Sequence, residues 1–257
     1  MKNNYPPKRW LLCCLAFSLL ISACKKDHDD AKGYMVKEIY FNNRLFQANE
    51  YDDVHRLIKA SHYSTMHGQG IALNSVDSFF YNSDGREQMV KSIDYESPSF
   101  SSKSIFSYNS DGRLTEVKSY NLSANTLLHD DSISYSGLII TETQMQNGNV
   151  TNTTTYTLST DGNIVKAVHH NLANIVNDYT EEWTNYDDKI NSGGPGAGDV
   201  VSKNNPHGYK LTLQGGNTQQ YEMGYFYNAA GYVKEQLTHQ KGFPSLDVYR
   251  YVLVPKY

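Results

Sequence analysis

Side chains able to do chemistry are plentiful in this chain, but their spacing rarely suits a reaction. His169 and His170 are adjacent. On a strand, neighbouring side chains point to opposite faces, so this pair cannot share one metal as an i, i+4 helical pair can. His55, His62 and His67 are loosely spaced, with no Cys or acidic residue at a ligand-like interval. Acidic pairs occur at Asp130-Asp131, Glu181-Glu182 and Asp187-Asp188. Calcium needs several oxygens converging on one point, and the EF-hand spacing is absent. Two separated carboxylates serve a glycosidase only at a distance that the fold must set. The stretch from Ser192 to Asp199 is rich in glycine but lacks the Lys-Ser/Thr ending of a phosphate loop. There is no Gly-x-Ser-x-Gly elbow. The expectation is a non-enzymatic protein with no catalytic residue, no metal and no cofactor.

The aromatic residues offer a different chemistry. Trp183, Tyr179, Tyr186, Tyr221, Tyr225 and Tyr227 crowd the C-terminal half. Flat rings stack on sugars or on a partner strand, and Trp183, Tyr186, Tyr225 and Tyr227 are the candidate ligand contacts. The competing reading is that alternate rings simply form the apolar face of a sheet.

The elements that carry these residues come from a tandem repeat. Tyr81-Asn82-Ser83-Asp84-Gly85-Arg86 recurs as Tyr108-Asn109-Ser110-Asp111-Gly112-Arg113, and the Val-Lys-Ser that begins at Val90 recurs at Val117. Both offsets are 27 residues, so one supersecondary unit is copied along the chain. Phe79 and Tyr81, like Phe106 and Tyr108, alternate as on a strand, with Ser78 and Ser107 facing the other way. Asp-Gly accepts the positive φ of a tight hairpin turn. The return strand is read as simple alternation, Leu114, Glu116 and Lys118 against Thr115, Val117 and Ser119.

Weaker copies run through Ile133 and Tyr135 to Ser136-Gly137, through Tyr156 and Leu158 to Gly162, and through Tyr225 and Tyr227 to Gly231. Gln146-Asn147-Gly148-Asn149 marks another hairpin. Phe41 to Leu45 reads as a degenerate first turn and Tyr186 to Lys189 as a degenerate late one. Tyr51 to Ser61 reads as a strand rather than a short helix. The 21 tyrosines, with many Ser and Thr, suit a half-exposed pleated surface. The fold class is all-β, an antiparallel meander of repeated β-hairpins, either an open curved sheet or a partly closed barrel.

The N-terminus is a targeting segment. Lys2, Lys8 and Arg9 precede an apolar run from Trp10 to Leu20, followed by Leu20-Ile21-Ser22-Ala23-Cys24. Small residues before a cysteine resemble the lipobox of bacterial lipoproteins. The division is a signal peptide at 1–23, lipidated Cys24 with a charged tether at 24–33, and one hairpin-repeat domain at 34–257. An irregular glycine-rich loop is expected near 191–206. Without the signal peptide, 20 Lys and Arg face 27 Asp and Glu, a net charge of −7. That balance does not favour a phosphate backbone, so nucleic acid is not an expected partner. Lys25-Lys26-Asp27-His28-Asp29-Asp30 resembles an export tag of surface lipoproteins. The membrane, through the lipid on Cys24, is one expected partner, and a protein or glycan is the other. The outer face of the outer membrane is favoured, with its periplasmic face as the alternative.

The seven residues from Tyr108 to Leu114, with aromatics two apart before them, resemble the YD-repeat of the RHS type. The nearest likeness is to small YD-repeat lipoproteins of Gram-negative bacteria. It covers about residues 75–170 and recurs at Tyr225 to Tyr232, and it departs at 191–206 and in the first third after Cys24. The resemblance implies hairpins and lipid anchoring, and transfers no catalytic residue. Large RHS proteins form shells around cargo, whereas this chain has few repeats for enclosing anything. Two functions follow as expectations: an interaction or scaffold module working through strand edges and faces, or a glycan-binding surface lipoprotein.

Overall fold

The repeat turn is closed by its first residue. In the computed structural model, which describes residues 33–65, 71–172, 174–190 and 202–256, Asn82 Oδ1 accepts the backbone N–H of Asp84 (3.0 Å) and of Arg86 (2.9 Å). Asn109 treats Asp111 and Arg113 in the same way. Gly85 and Gly112 then take φ of 76° and 81°, which a Cβ would oppose. The signal peptide, Cys24, nearly all of the tether, His67 and most of the glycine-rich stretch lie outside the described residues.

Sixteen strands result among the described residues. They are β1 (Tyr34–Phe41), β2 (Arg44–Tyr51), β3 (Leu57–Thr65), β4 (Ile71–Tyr81), β5 (Glu87–Asp94) and β6 (Ser102–Tyr108). Then come β7 (Leu114–Asn121), β8 (Leu127–Ser136), β9 (Ile139–Gln146), β10 (Asn149–Leu158) and β11 (Ile164–Asn171). The last are β12 (Tyr179–Ile190), β13 (Asn204–Leu213), β14 (Thr218–Tyr227), β15 (Val233–Gln240) and β16 (Leu246–Pro255). Each pairs antiparallel with its sequence neighbours, and β1 pairs with β16, so the meander closes into a barrel. Among the described residues every strand lies within 34–255, and the Lys256 N–H donates to the Gly33 carbonyl at the seam (2.8 Å).

Closure answers the question that periodicity left open, and it corrects the expectation that the chain encloses nothing. A barrel of sixteen strands is wider than side chains from its wall can fill. One face of the wall carries the packed residues. Phe79 opposes Val90, Phe106 opposes Val117, Tyr156 opposes Ala167 and Trp183 opposes Tyr209. Side chains converge on the concave, luminal side of a curved sheet, so the two apolar clusters form there. One joins Leu57, Ala60, Phe79, Val90, Phe106 and Leu114; the other joins Ile140, Tyr156, Ile164, Ala167 and Trp183.

The repeat tyrosines lock neighbouring strands. Tyr81 donates to the Leu57 carbonyl (2.7 Å), Tyr108 to that of Glu87 (2.8 Å) and Tyr135 to that of Leu114 (3.0 Å). Tyr186 reaches the Ile164 carbonyl in the same manner. The turn arginines lie over the next tyrosine ring, Arg86 over Tyr108 at 5.7 Å and Arg113 over Tyr135 at 5.2 Å.

Four sequence readings change. Tyr51 to Ser61 is another full repeat rather than one strand. Asp52 closes its turn, and His55, at φ 65°, stands where the others have glycine. The return strands do not alternate simply, because a bulge between Leu114 and Glu116 brings Leu114 and Val117 to the same face. Tyr186 to Lys189 lies inside β12, and β13 begins at Asn204, within the expected loop. The other turns fall where they were read, at 42–43, 137–138 and 147–148.

Candidate ligand-binding face of the lumen

The barrel wall divides the acidic pairs at 130–131, 181–182 and 187–188. Asp131 faces the lumen while Asp130 faces outward, 3.7 Å from Lys118. Glu181 is luminal, and Glu182 pairs outside with Lys210 at 2.9 Å. Asp187 meets Tyr227 and Asn205, while Asp188 contacts Lys189. His169 and His170 split likewise, to Glu181 and Asp178. Strand alternation therefore stops each pair from converging on one cation. Among the described residues, no three His, Cys, Asp or Glu side chains gather as a metal site.

Pleating and register instead collect a luminal network across β8 to β13. His169 Nε2 lies 2.7 Å from Glu181 Oε2, and Nδ1 lies 3.0 Å from Thr154 Oγ1. A neutral ring satisfies both contacts, with Nε2–H donating to Glu181 and the Thr154 hydroxyl donating to Nδ1. Glu181 Oε1 accepts the Tyr209 hydroxyl at 2.6 Å. The His169 ring stacks on Tyr179 at 4.0 Å. On the neighbouring strands, Tyr156 donates to Glu142 Oε2 at 3.2 Å.

Burial dominates the electrostatics. It pushes Tyr156 and Tyr209 far above the usual phenol range, and Glu142 and Glu181 beside them add to the effect. Both hydroxyls remain donors at any physiological pH. Burial also raises Glu142, helped by the nearby charge of Asp131. Asp131 itself is pushed up to about 6 by burial, with Asp130 adding and Gln144 opposing. Its Oδ1 is buried without a hydrogen-bond partner. His129, 3.3 Å from Asp131, is held below its usual range by burial, so that contact is not an ion pair at neutral pH.

A recess of about 970 Å³ lies at β12 to β14, and its lining takes in Trp183, Tyr186, His207, Tyr209, Tyr221 and Met223 together with the outward-facing Glu182 and Lys210. The rings of Trp183 and Tyr209 lie 5.7 Å apart, and those of Tyr209 and Tyr221 lie 5.5 Å apart. His207 Nδ1–H donates to the Met223 carbonyl and its ring meets Tyr225 edge-on at 5.3 Å.

The four candidate aromatics therefore share one wall, on β12 and β14. Trp183 is 9% exposed and packs in the second apolar cluster. Tyr225 donates to the Pro206 carbonyl, and Tyr227 to Asp187. Hydrogen bonds from Tyr227, the Lys189 backbone and Asn205 hold Asp187 low, outweighing its burial. Cys24 lies outside the described residues. Sequence reasoning missed Tyr209, Glu181 and His169 as one network. Their alternation marks them as strand residues, but only register makes them neighbours.

No known protein family and no curated protein matches the chain. Solved structures overlap loosely. A porin-like protein from Bacteroides vulgatus is 10% identical, with 84% of this chain and 97% of that one covered and a TM-score of 0.48. A porin-like protein from Bacteroides uniformis is 13% identical over 81% and 89%, with a TM-score of 0.38. A Photorhabdus luminescens Tc holotoxin pore chain is 14% identical over 80% of this chain and 12% of its own length, with a TM-score of 0.31. Overlaps this loose carry no argument about function.

Proposed function

We propose that this protein is a non-enzymatic, lipid-anchored module of the outer membrane surface that binds glycan on its luminal wall. The observation that carries the reading is the ring-lined recess beside Tyr209, where flat faces lie next to fixed carboxylates and hydroxyls. Saccharides offer apolar ring faces and hydroxyl edges, and this wall complements both. A scaffold working by strand-edge pairing finds no edge here, because β1 and β16 pair with each other.

Binding is favoured over catalysis because the network's groups are already engaged. Glu181 uses both oxygens and His169 both nitrogens on wall neighbours. The small-residue run ending at Cys24 supports anchoring by lipid, in keeping with the YD-repeat lipoproteins that the turns resemble.

The outer wall argues against spanning the bilayer. Lys59–Glu50, Lys118–Asp130, Lys210–Glu182 and Arg250–Glu235 all oppose one another on that face. A Lys or Arg turned to lipid costs about 2–4 kcal/mol at the bilayer midplane. These charged pairs are built for water, and the N-terminal lipid supplies the anchor.

The test is a glycan array probed with a chain beginning at residue 31, beside Tyr221→Ser. Binding to one glycan class, weakened about tenfold in the variant, is the expected result. Uniform absence of binding, with the barrel folded, overturns the reading.

A further inference from the structure

The outer face of β3 to β6 differs from the rest of the wall. Strand register aligns Phe80, Met89 and Ile105 in one row, and Ile58, at the bulge that opens β3, is exposed as well. Ile58, Phe80 and Ile105 are 38%, 43% and 37% exposed. One pleat farther along, Lys59, Ser78, Lys91 and Lys103 form a second row.

Lys91 and Lys103 oppose each other directly, and like charges at that position destabilise a sheet. Lys59 is matched by Glu50 at 2.8 Å. Lys103 donates to the neutral Asn125 side chain at 2.7 Å, and no acidic partner of Lys91 is seen among the described residues. A chain that is otherwise acidic thus keeps a local, uncompensated positive pair beside an exposed apolar row.

Chain direction adds a second observation. β1 runs from Tyr34 toward the turn at 42–43, and the next strands alternate in direction. Tyr34 therefore lies at the barrel end that carries the turns at 52–56, 82–86 and 109–113. The apolar row sits next to those turns, at the barrel end where Tyr34 lies.

We infer that the outer face of β4 to β6 rests on an anionic phospholipid surface, with Lys91 and Lys103 meeting phosphates and Phe80, Met89 and Ile105 entering the headgroup layer. This contact is independent of any luminal ligand. It is peripheral, since the charged pairs elsewhere on the wall stay in water. An anionic surface relieves the lysine repulsion, and each lysine near it strengthens binding roughly fivefold.

The test is vesicle co-sedimentation of the chain beginning at residue 31, whose barrel is complete without the anchor. Vesicles of phosphatidylcholine alone are compared with vesicles containing one-third phosphatidylglycerol. Binding to the anionic vesicles only is expected, falling at least tenfold in Lys91→Glu/Lys103→Glu and unchanged in Lys234→Glu on β15. Lys91→Glu alone turns a like pair into an ion pair, so its melting temperature should not fall while vesicle binding does. Equal binding by parent and double variant overturns the proposal. So does failure of the parent to bind, or a Phe80→Ser change that alters only the oligomeric state, which would assign the face to a second copy of the chain.

Discussion

Replacing Asp131 with asparagine should stabilise the barrel at neutral pH and do nothing in acid. The Asp131 side chain is buried on the luminal wall, one oxygen has no hydrogen-bond partner, and burial raises its pKa from 3.8 to about 6. The folded state therefore holds the proton more tightly than the unfolded chain. Below about pH 4 both states are protonated and the residue contributes nothing to the balance. As pH rises toward about 6, the unfolded state ionises first and stability falls; above that, the full penalty persists. A shift of about two units corresponds to about 3 kcal/mol, an upper bound because the amide in place of the carboxylate would keep some of the desolvation cost. Urea unfolding, followed by the fluorescence of Trp183 in a chain beginning at residue 31, measures the difference. The variant should match the parent near about pH 4 and exceed it by about 1–3 kcal/mol near about pH 8. A constant difference across that range, or a variant weaker at high pH, would refute the assignment of burial as the cause.

Other outcomes follow from the repeat. Tyr108→Phe removes the hydroxyl that donates to the Glu87 carbonyl and should cost about 1 kcal/mol in urea unfolding. Gly85→Ala and Gly112→Ala share a positive φ, but only at Gly112 would the new Cβ meet Arg86, at 2.5 Å from Nη2. Both should lower stability by about 1 kcal/mol from the backbone term. Gly112→Ala should lose more, and Arg86→Ala should abolish the excess. His55→Gly places glycine at φ 65° and should raise stability by about 0.5–1 kcal/mol, read as a higher urea midpoint. Leu114→Ala empties a position in the first apolar cluster and should cost about 2–5 kcal/mol.

Much of the fold was legible locally. The offset copies at Tyr81 and Tyr108 gave the hairpin, and Asn147-Gly148 gave a turn with both residues at positive φ, because turn chemistry acts within a few residues. The repeat at Tyr51 escaped because His55 replaces the glycine that marks the others. The bulge after Leu114 escaped because a period of two cannot show an extra residue. The candidate site was half legible. Trp183, Tyr186, Tyr225 and Tyr227 stand out by type, but Tyr209, Glu181 and His169 carry no local signal of belonging together.

The hairpin unit, its turns and the alternation of faces were set by the order of residues, since each depends on near neighbours along the chain. That β1 meets β16 was decided in three dimensions, because that pairing joins residues more than two hundred positions apart. Closure then chose which face became the lumen, and therefore which half of every alternating pair could meet a ligand. Register across β8 to β13 placed two histidines, three carboxylates and three tyrosines on the same wall. A one-residue slip would have turned those side chains outward, to the face that holds the lysine–glutamate pairs.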